Sequence, residues 1–468
     1  MARLVIVSNR VALPGASGAK AGGLAVALAE ALASRGGLWF GWSGKVSESA
    51  RFEPKIVEDG RVTYATFDLS PRDHEDFYLD YANASLWPLV HYRLDGVEFH
   101  RRAYEGYVRV NESVARALAP RLRAGDAVWV HDYHFLPLPG ALRRLGVRCR
   151  IGFFLHTPFP PPEIMAMDPQ ARDLMRGLFN ADLIGLQTTN DARALRRYVA
   201  DELGGAVDAD GRCAALGRRC RVAAYPIGID VAAFTGAAAR SSGSPEVTRM
   251  RRSLGDKALI LGVDRLDYSK GLPHKVEAFA ALLETRAEHR GAVTFMQVAP
   301  VSRGEIPHYR TLRRQMERAA GRLNGRFGDV GWVPVHYLNR SLDRATLAGL
   351  YRIARVGLVT PLRDGMNLVA KEFVAAQDPE DPGVLVLSRF AGAARELAGA
   401  VIVNPYDTDG TADALHEALV MPLTDRRARW ADMMAMLEAN TIEDWRDRFL
   451  ADLTCRTVAP PPDELAAR

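Results

Sequence analysis

Residues 127–156 read AVWVHDYHFLPLPGALRRLGVRCRIGFFLH, and this stretch decides the fold class. It opens on a short apolar run at Ala127 and closes on a second one that ends at His156. A helical pattern lies between the two runs. Strands that are apolar on both faces and are joined by a helix are typical of a parallel sheet that helices cover on both sides.

The same alternation recurs along the chain and predicts two series of strands and helices. Further buried strands are predicted at 4–7, 182–187, 258–263, 293–298, 356–360 and 384–387. The segment 236–245 (GAAARSSGSP) is small, polar and aperiodic, so it predicts a linker. We therefore predict an α/β protein of two doubly wound domains, residues 1–240 and 241–440, with a cleft between them. An apolar stripe at helical spacing predicts a last helix within 441–468, and its crossing back to the first domain is left open.

The composition is that of a globular protein without a strong charge signal. The chain has 468 residues, of which 48% are hydrophobic, and 61 Lys and Arg against 56 Asp and Glu give a net charge of +5. This excess permits an anionic ligand but does not indicate nucleic acid or a membrane. Four cysteines without a CxxC motif predict neither a disulfide scaffold nor a thiolate zinc site. Because we find no signal-peptide core and no membrane-length apolar run, the cytoplasm is the predicted compartment.

Motifs of three common enzyme classes are absent or poorly placed. No GxGxxG follows the first strand and no GxxxxGK[ST] occurs, which disfavours a dehydrogenase and a P-loop enzyme. A glycine pair, Gly22 and Gly23, instead opens a predicted helix and would offer backbone N–H groups to an anion. The segment 407–411 (DTDGT) matches a phosphatase nucleophile loop, but no lysine follows it, so we interpret it as a helix cap. The arginine-rich segment 306–323 predicts an amphipathic helix with a solvated cationic face.

Polar residues at the ends of the predicted strands are candidates for ligand binding, because the carboxyl edge of a parallel sheet forms the ligand crevice. His131, Asp132 and His134 follow one strand, and His156 ends the next. A metal site built from the first three has no firm third ligand, since alternation puts neighbours on opposite faces. We therefore predict no metal-binding residue, and His131 is left open as a buried core histidine.

Two loops in the second half carry groups suited to a diphosphate. Arg265 and Lys270 lie in one loop after a predicted strand, where a planar guanidinium and a compact ammonium can converge on one anion. The alternative is a pair of solvated cations. The segment 363–368 follows another strand and leads into a helix whose N-terminus would face the same crevice. Glu372 would then point inward and accept from two vicinal hydroxyls, and an exposed ion pair is its alternative.

The ordered set of motifs resembles the trehalose-6-phosphate synthases, a family of retaining glycosyltransferases. The matching segments include SNR at 8–10, LWFGWSG at 38–44, HDYH at 131–134, GFFLHTPFP at 152–160, RLDYSKG at 265–271 and DGMNLVAKE at 364–372. The resemblance implies a glycosyltransferase B-type fold, with a Rossmann-like acceptor domain followed by a nucleotide-sugar donor domain. It also implies transfer of glucose from a nucleotide-glucose, UDP-glucose by default, to glucose-6-phosphate with retention, which forms α,α-trehalose-6-phosphate.

The resemblance assigns residues to two binding sites and to the reaction centre. The implied donor-site residues are Gly22, Gly23, Arg265, Lys270, Met366, Asn367, Leu368 and Glu372. The implied acceptor-site residues are Arg10, Tyr78, Trp87, Asp132 and Arg303, of which Arg10, Tyr78 and Arg303 surround the phosphate. The implied catalytic residues are Arg265, Lys270, His156 and Asp364. In the implied front-face substitution, a leaving-phosphate oxygen takes the acceptor proton.

Several alternatives stay open beside this reading. A related synthase could use the same donor with another phosphorylated acceptor, such as glycerol-3-phosphate or a cyclitol phosphate. Guanosine and adenosine remain alternatives to uridine, and homo-oligomer formation is left open. A non-catalytic regulatory subunit is disfavoured because the donor-site residues are all present. We expect no metal, cofactor, nucleic-acid or membrane partner and no appended phosphatase domain, and we assign no function to 208–220.

Overall fold

The structure is a computed structural model in which the chain forms two units. It describes residues 2–14, 28–29, 31–33, 35–301 and 307–455. The first unit takes the described residues up to Pro226 and those from Glu443 onward, and the second takes Ile227–Ile442. The sequence analysis placed this division later, between residues 240 and 241, because it took the segment 236–245 for a linker.

Most of the segment 236–245 is helical, with a short turn at 242–244, so the prediction of a linker was wrong. It contains the end of the helix Val231–Ser241 and the start of the helix Pro245–Leu254. The alanines of this segment have the highest helix propensity, which outweighs its lack of an apolar period. Asp230 caps the first helix and Ser244 caps the second, each by accepting from a backbone N–H of the first turn.

The first unit is built on one sheet, ten-stranded among the described residues. Its strands are β1 Leu4–Arg10, β2 Gly37–Val46, β3 Lys55–Asp59, β4 Val62–Leu69, β5 Ala127–His131, β6 Arg150–Phe154, β7 Leu183–Leu186, β8 Ala206–Val207, β9 Arg212–Ala215 and β10 Arg218–Ala224. The order is β3-β4-β2-β1-β5-β6-β7-β10-β9-β8, and the strands from β4 to β10 are mutually parallel. The strand order therefore reverses between β1 and β5, where doubly wound sheets bind ligands.

Helices connect these strands. The α-helices of the first unit include Pro71–Asp73, Trp87–Val90, Arg101–Leu118, Leu138–Arg144, Pro162–Met165, Ala171–Leu178 and Thr189–Asp201, with a π-helix at His74–Leu86 and 3₁₀ turns at Leu94–Gly96, Ala119–Arg121 and Tyr133–Phe135. The last of the described helices, Ile442–Thr454, packs on this sheet. Its Trp445 and Phe449 have ring centroids 4.9 and 4.8 Å from that of Trp129 in β5. Gly152 of β6 makes room for it, since a Cβ there would lie 2.8 Å from the Phe449 ring.

The second unit is built on a parallel sheet, six-stranded among the described residues. Its strands are β11 Ala258–Val263, β12 Val293–Val298, β13 Val335–Leu338, β14 Val356–Val359, β15 Val384–Ser388 and β16 Val401–Val403. Their order, β13-β12-β11-β14-β15-β16, is the 3-2-1-4-5-6 order of a Rossmann sheet. The α-helices are Val231–Ser241, Pro245–Leu254, Leu272–Thr285, Pro307–Phe327, Arg344–Ile353, Leu368–Ala376, Thr408–Val420 and Leu423–Ala439, with 3₁₀ turns at Tyr268–Lys270, Ala287–His289 and Gly392–Arg395.

Two local predictions for the second unit are confirmed. Asp407 of the DTDGT segment caps the helix Thr408–Val420 by accepting from the Gly410 N–H at 2.9 Å. The arginine-rich segment forms the helix Pro307–Phe327, which buries Tyr309 and its apolar neighbours one turn apart. Among the described residues, no helix combines the length and the apolar character needed to cross a membrane.

Candidate active site

Two loops meet at the carboxyl edge of the second unit's sheet. The Leu362 N–H, after β14, donates to the carbonyl of Ser269, after β11, at 2.8 Å. Lys270 of the first loop forms an ion pair with Asp364 of the second, and their side chains are only 12% and 15% exposed. The Asn367 amide donates to the same Asp364 carboxylate at 3.0 Å. The structure therefore brings together three of the predicted donor-site and catalytic residues.

The sequence of the first loop explains its shape. Gly271 has a φ of +64°, and a Cβ there would lie 2.8 Å from the carbonyl oxygen of Thr360, so the close approach of the loops requires glycine. Asp267 is fully buried and accepts from the Ser269 N–H at 2.9 Å and from the Tyr309 hydroxyl at 3.1 Å. These bonds fix the turn that carries Lys270.

The other predicted donor-site residues lie at the same edge. Arg265 is exposed and stands two residues after β11. Asn367, at a φ of +78°, caps the helix Leu368–Ala376 by accepting from the Ala370 N–H at 3.3 Å. Met366 is buried, and its carbonyl accepts from the Ala393 N–H at 2.8 Å. A guanidinium, an ammonium and the positive end of a helix dipole thus share one edge of the sheet, which suits an anion.

Glu372 lies one turn inside that helix and is partly buried. Burial raises the pKa of its carboxyl from 4.5 to about 7, against a smaller lowering effect from Arg344. The alternative of an exposed pair with Lys371 is wrong, because Lys371 is buried and pairs with Glu396 at 2.7 Å. Glu372 is therefore a carboxyl whose charge folding disfavours, which is typical of a functional group.

In the first unit, the predicted phosphate-binding residues lie around an aromatic side chain. The guanidinium carbon of Arg10, at the end of β1, stands 4.4 Å from the ring centroid of Trp42. The Tyr78 ring meets Trp42 edge-on, with ring centroids 5.2 Å apart. Gly44 makes room for the guanidinium, because a Cβ there would overlap it. Arg10 thus makes a cation–π contact with Trp42, whose ring Tyr78 also contacts.

Tyr78 lies on the π-helix His74–Leu86, between two histidine rings. It stacks on His74 and on His134, with centroids 5.4 and 5.9 Å away. The sequence analysis did not predict a π-helix here, because its apolar spacing does not differ clearly from that of an α-helix. Such segments frequently occur at functional sites.

Asp132 and His156 meet where β5 and β6 end. The Asp132 carboxylate accepts from the His156 N–H at 3.2 Å, and the Asp132 N–H donates to the carbonyl of Phe154 at 2.8 Å. Asp132 has a φ of +73° and a ψ of 169°, a conformation that residues other than glycine rarely adopt. Trp87 is buried and packs on Tyr133, the residue after Asp132, with ring centroids 5.5 Å apart.

The ring of His156 is bonded on both nitrogens. The Gln187 amide donates to its Nδ1 at 3.2 Å, so its proton is on Nε2 and is donated to Nδ1 of His131 at 3.1 Å. Burial lowers the pKa of His156 to about 3, and burial together with the neighbouring His156 lowers the pKa of His131 well below its ordinary value. Both rings are therefore neutral near pH 7, and a sugar hydroxyl that bonds to the His156 ring must replace one of its protein partners.

Three predicted residues, Gly22, Gly23 and Arg303, lie outside the described residues. The sequence analysis missed Trp42 and Gln187. Trp42 stood in the quoted LWFGWSG motif without a role. Gln187 is a polar residue at the end of a predicted strand, and His156 was selected as a candidate for the same reason. That positional argument could have found Gln187 but not Trp42, which follows no predicted strand and lies inside β2. The buried histidine His131 was correctly left open as a core residue, since it is fully buried.

Comparisons with known proteins bear on the whole chain. The family model Glycosyltransferase family 20 matches residues 8–455. The trehalose-6-phosphate synthase of Sinorhizobium fredii is 51% identical over 462 residues, which cover 97% of this chain and 98% of that protein. The alpha,alpha-trehalose-phosphate synthase (UDP-forming) of Burkholderia vietnamiensis has a TM-score of 0.96 at 48% identity, covering 98% of this chain and 99% of that one.

A second solved structure was determined with a ligand. It is an alpha,alpha-trehalose-phosphate synthase (UDP-forming) from Burkholderia xenovorans in complex with glucose-6-phosphate. Its TM-score is 0.93 at 49% identity, and the match covers 97% of this chain and 100% of that one. These likenesses confirm the prediction of a glycosyltransferase B-type fold with two Rossmann-like units. The chain belongs to glycosyltransferase family 20.

Proposed function

We propose that the chain transfers glucose from UDP-glucose to glucose-6-phosphate, with retention at the donor's anomeric carbon, and so forms α,α-trehalose-6-phosphate. The observation that carries the proposal is the ion pair of Lys270 with Asp364 beside Arg265, at the carboxyl edge of a Rossmann sheet. Relatives named as UDP-forming synthases support uridine as the base and glucose-6-phosphate as the acceptor. The cytoplasmic location and any self-association stay predictions.

The donor side supplies positive charge without rearrangement. When the bond between glucose and UDP breaks, negative charge develops on the leaving diphosphate. Arg265, Lys270 and the N-terminus of the helix Leu368–Ala376 would stabilise that charge, and Asp364 already holds the ammonium in place. Preorganised charges of this kind usually make the largest single contribution to catalysis. The scheme uses no metal ion and no cofactor.

Glu372 would bind the ribose of the donor. An ionised carboxylate can accept from two vicinal hydroxyls, which compensates for the solvent that burial removed. Because burial raises the pKa of Glu372 to about 7, donor binding should favour the loss of its proton near neutral pH. This gives a physical reason for a partly buried, otherwise unfavourable carboxyl at this position.

The acceptor side supplies a phosphate-binding arginine and a sugar-binding carboxylate. Arg10 packs on Trp42, which Tyr78 also contacts, and its N–H groups would donate to the phosphate. Asp132 follows β5, and its carboxylate would accept from a hydroxyl of the acceptor sugar.

The chemical step proposed is a front-face substitution. The acceptor oxygen forms a bond to the anomeric carbon as the bond from that carbon to the diphosphate breaks, and a leaving-phosphate oxygen takes the acceptor proton. His156 is neutral, with a pKa of about 3, so it does not act as the acid. It presents a neutral ring that hydrogen bonds to His131 and Gln187 hold in position.

A substrate panel tests the proposal. The purified protein is incubated with UDP-, GDP- and ADP-glucose, each with glucose-6-phosphate, glucose, glycerol-3-phosphate or a cyclitol phosphate. We expect disaccharide phosphate from UDP-glucose and glucose-6-phosphate at the highest kcat/KM. A preference for glycerol-3-phosphate or a cyclitol phosphate would show that this compound, and not glucose-6-phosphate, is the acceptor. Hydrolysis of UDP-glucose without transfer would refute the proposed reaction.

A further inference from the structure

A group of metal-ligating side chains lies in the second unit, away from the candidate active site. Nε2 of His289 and Nδ1 of His416 are 2.9 Å apart, and Oε1 of Glu288 lies 4.0 Å from the same His416 nitrogen. The three ligand atoms lie within 4.8 Å of one another. Over the described ranges, no other three histidine, cysteine or acidic side chains converge in this way.

Two separate elements supply this group. Glu288 and His289 end the 3₁₀ turn Ala287–His289, whereas His416 lies on the helix Thr408–Val420, 127 residues from His289 in sequence. The sequence analysis predicted no metal ligand because residues so far apart form no spacing motif. His289 is buried while Glu288 is exposed, so the group has a fixed inner ligand and an outer one open to solvent.

A neighbouring ion pair already holds the two elements together. Arg286 precedes the turn, and its guanidinium lies 3.2 Å from the carboxylate of Asp413 on the helix Thr408–Val420. Both side chains are exposed, so this pair contributes little to stability by itself. It is a second contact between the turn and the helix, in addition to the one between His289 and His416.

The group lies at the amino edge of the sheet. The carbonyl of His289 accepts from the Ala292 N–H at 3.1 Å, directly before β12, and β12 begins opposite Ala258, the first residue of β11. Arg265 and Lys270 follow the other end of β11, and a strand of six residues spans about 20 Å. The two sites are therefore separate, and neither proposal depends on the other.

We propose that Glu288, His289 and His416 bind a divalent transition-metal ion of the zinc type. Two imidazoles and one carboxylate form a ligand set that suits zinc or cobalt, with water in the fourth position. Nitrogen ligands of tetrahedral zinc, bound at about 2.0–2.1 Å, lie about 3.3 Å apart, so His289 and His416 need to separate only slightly.

Metal binding replaces the hydrogen bond between the two imidazoles. One of the facing nitrogens, His289 Nε2 or His416 Nδ1, now carries a proton that the other accepts. That proton moves to the other nitrogen of the same ring, which leaves two lone pairs for the metal and keeps both imidazoles neutral. The Glu288 carboxylate then turns inward and supplies the negative charge.

Titration with Co²⁺ alone tests the site, on the full-length chain freed of metal and without an affinity tag. We expect one equivalent to bind with the intense visible bands of tetrahedral cobalt. His289→Gln and His416→Gln should each weaken binding at least about 100-fold, since even partners of ligands cost about 10- to 100-fold. His100→Gln is the matched control, because His100 lies in the first unit, where it pairs with Glu98 at 3.3 Å, and is not one of the three proposed ligands; this variant should bind as the parent does.

A second variant separates direct ligation from loss of structure. His416→Cys replaces one ligand by another, so the Co²⁺ complex should persist and gain a thiolate-to-cobalt charge-transfer band in the near ultraviolet. Zn²⁺ should raise the Tm of the parent and of His416→Cys but not that of His416→Gln. A weak octahedral spectrum, binding that His416→Gln leaves unchanged, or His416→Cys without the new band overturns the proposal.

Discussion

The ammonium group of Lys270 forms an ion pair with the carboxylate of Asp364, 94 residues further along the chain. The pair joins the loop after β11 to the loop that leads into the helix Leu368–Ala376. Both side chains are mostly buried, so the cation is held in place before any substrate arrives. If a diphosphate binds here, Lys270 does not have to be ordered at the moment of reaction.

Removal of this ammonium should slow the transfer strongly. In Lys270→Met the leaving diphosphate lacks one preorganised cation, which costs about 3–4 kcal/mol at the transition state, or roughly 100- to 1000-fold in kcat. Lys257→Met is the matched control, since Lys257 lies before β11 at the other end of the same strand. The measurement is kcat with saturating UDP-glucose, and near-normal turnover of Lys270→Met would refute the role.

The raised pKa of Glu372 should cost stability at neutral pH. Folding raises this pKa from 4.5 to about 7, so the carboxyl stabilises the fold fully below about pH 4.5 and loses that contribution as the pH rises toward 7. The shift corresponds to at most about 3 kcal/mol, reduced by solvent screening. Residue 372 no longer titrates in the variant Glu372→Gln. The Tm of this variant should therefore increase relative to the Tm of the parent as the pH rises from about 5 to about 8.

The same variant should bind the donor less well, because an amide accepts fewer hydrogen bonds from a ribose than a carboxylate. Calorimetric Tm values and the KM for UDP-glucose are measured on the same preparations. A Tm difference that does not change with pH would contradict a raised pKa for Glu372.

The backbone at Asp132 should prefer glycine. Its φ of +73° and ψ of 169° cost of order 1–3 kcal/mol for a residue with a Cβ. Asp132→Gly and Asp132→Ala both lose the carboxylate, so their difference reports the backbone alone. We expect the glycine variant to be more stable by about 1 kcal/mol, although alanine is elsewhere the more stable of the two. Urea unfolding measures this, and a more stable alanine variant would show that no strain is stored there.

Arg10 should bind the phosphate of the acceptor. A charge-assisted bond to a phosphate is worth about 1.5–3 kcal/mol, so Arg10→Ala should lower kcat/KM for glucose-6-phosphate roughly 10- to 150-fold. Use of free glucose, already poor, should hardly change. Arg144→Ala, which removes an exposed arginine paired with Glu112 in the same unit, should affect neither. If kcat/KM fell by the same factor for both acceptors, Arg10 would not bind the phosphate.

Much of the fold follows from local pattern. The strands β5, β6, β11 and β14 were predicted within one or two residues, because continuous apolar runs bounded by polar residues are the strongest signal of a buried parallel strand. The segment 236–245 was misread for the opposite reason. Its alanines carry no periodicity, so only their helix propensity and the cap at Asp230 indicate the helix that forms.

The candidate site was predictable in position but not in its contacts. Lys270 and Asp364 were each singled out after a strand, yet their ion pair depends on the order β11-β14 in the sheet, which sequence spacing does not encode. The neutral state of His156 is equally a product of the fold, because it follows from burial beside His131 and Gln187. Local pattern predicts elements, whereas burial and pairing between distant residues decide the chemistry.

One measurement tests the central claim most directly. The purified protein, treated exhaustively with a chelator and kept free of divalent ions, is mixed with UDP-glucose and glucose-6-phosphate, and the anomeric protons of the product are followed by NMR. We expect one disaccharide phosphate with two α-linked anomeric protons. Its rate of formation should be close to that of the untreated protein. An inverted anomeric centre, or activity that is lost on chelation and returns only with a divalent ion, would contradict it.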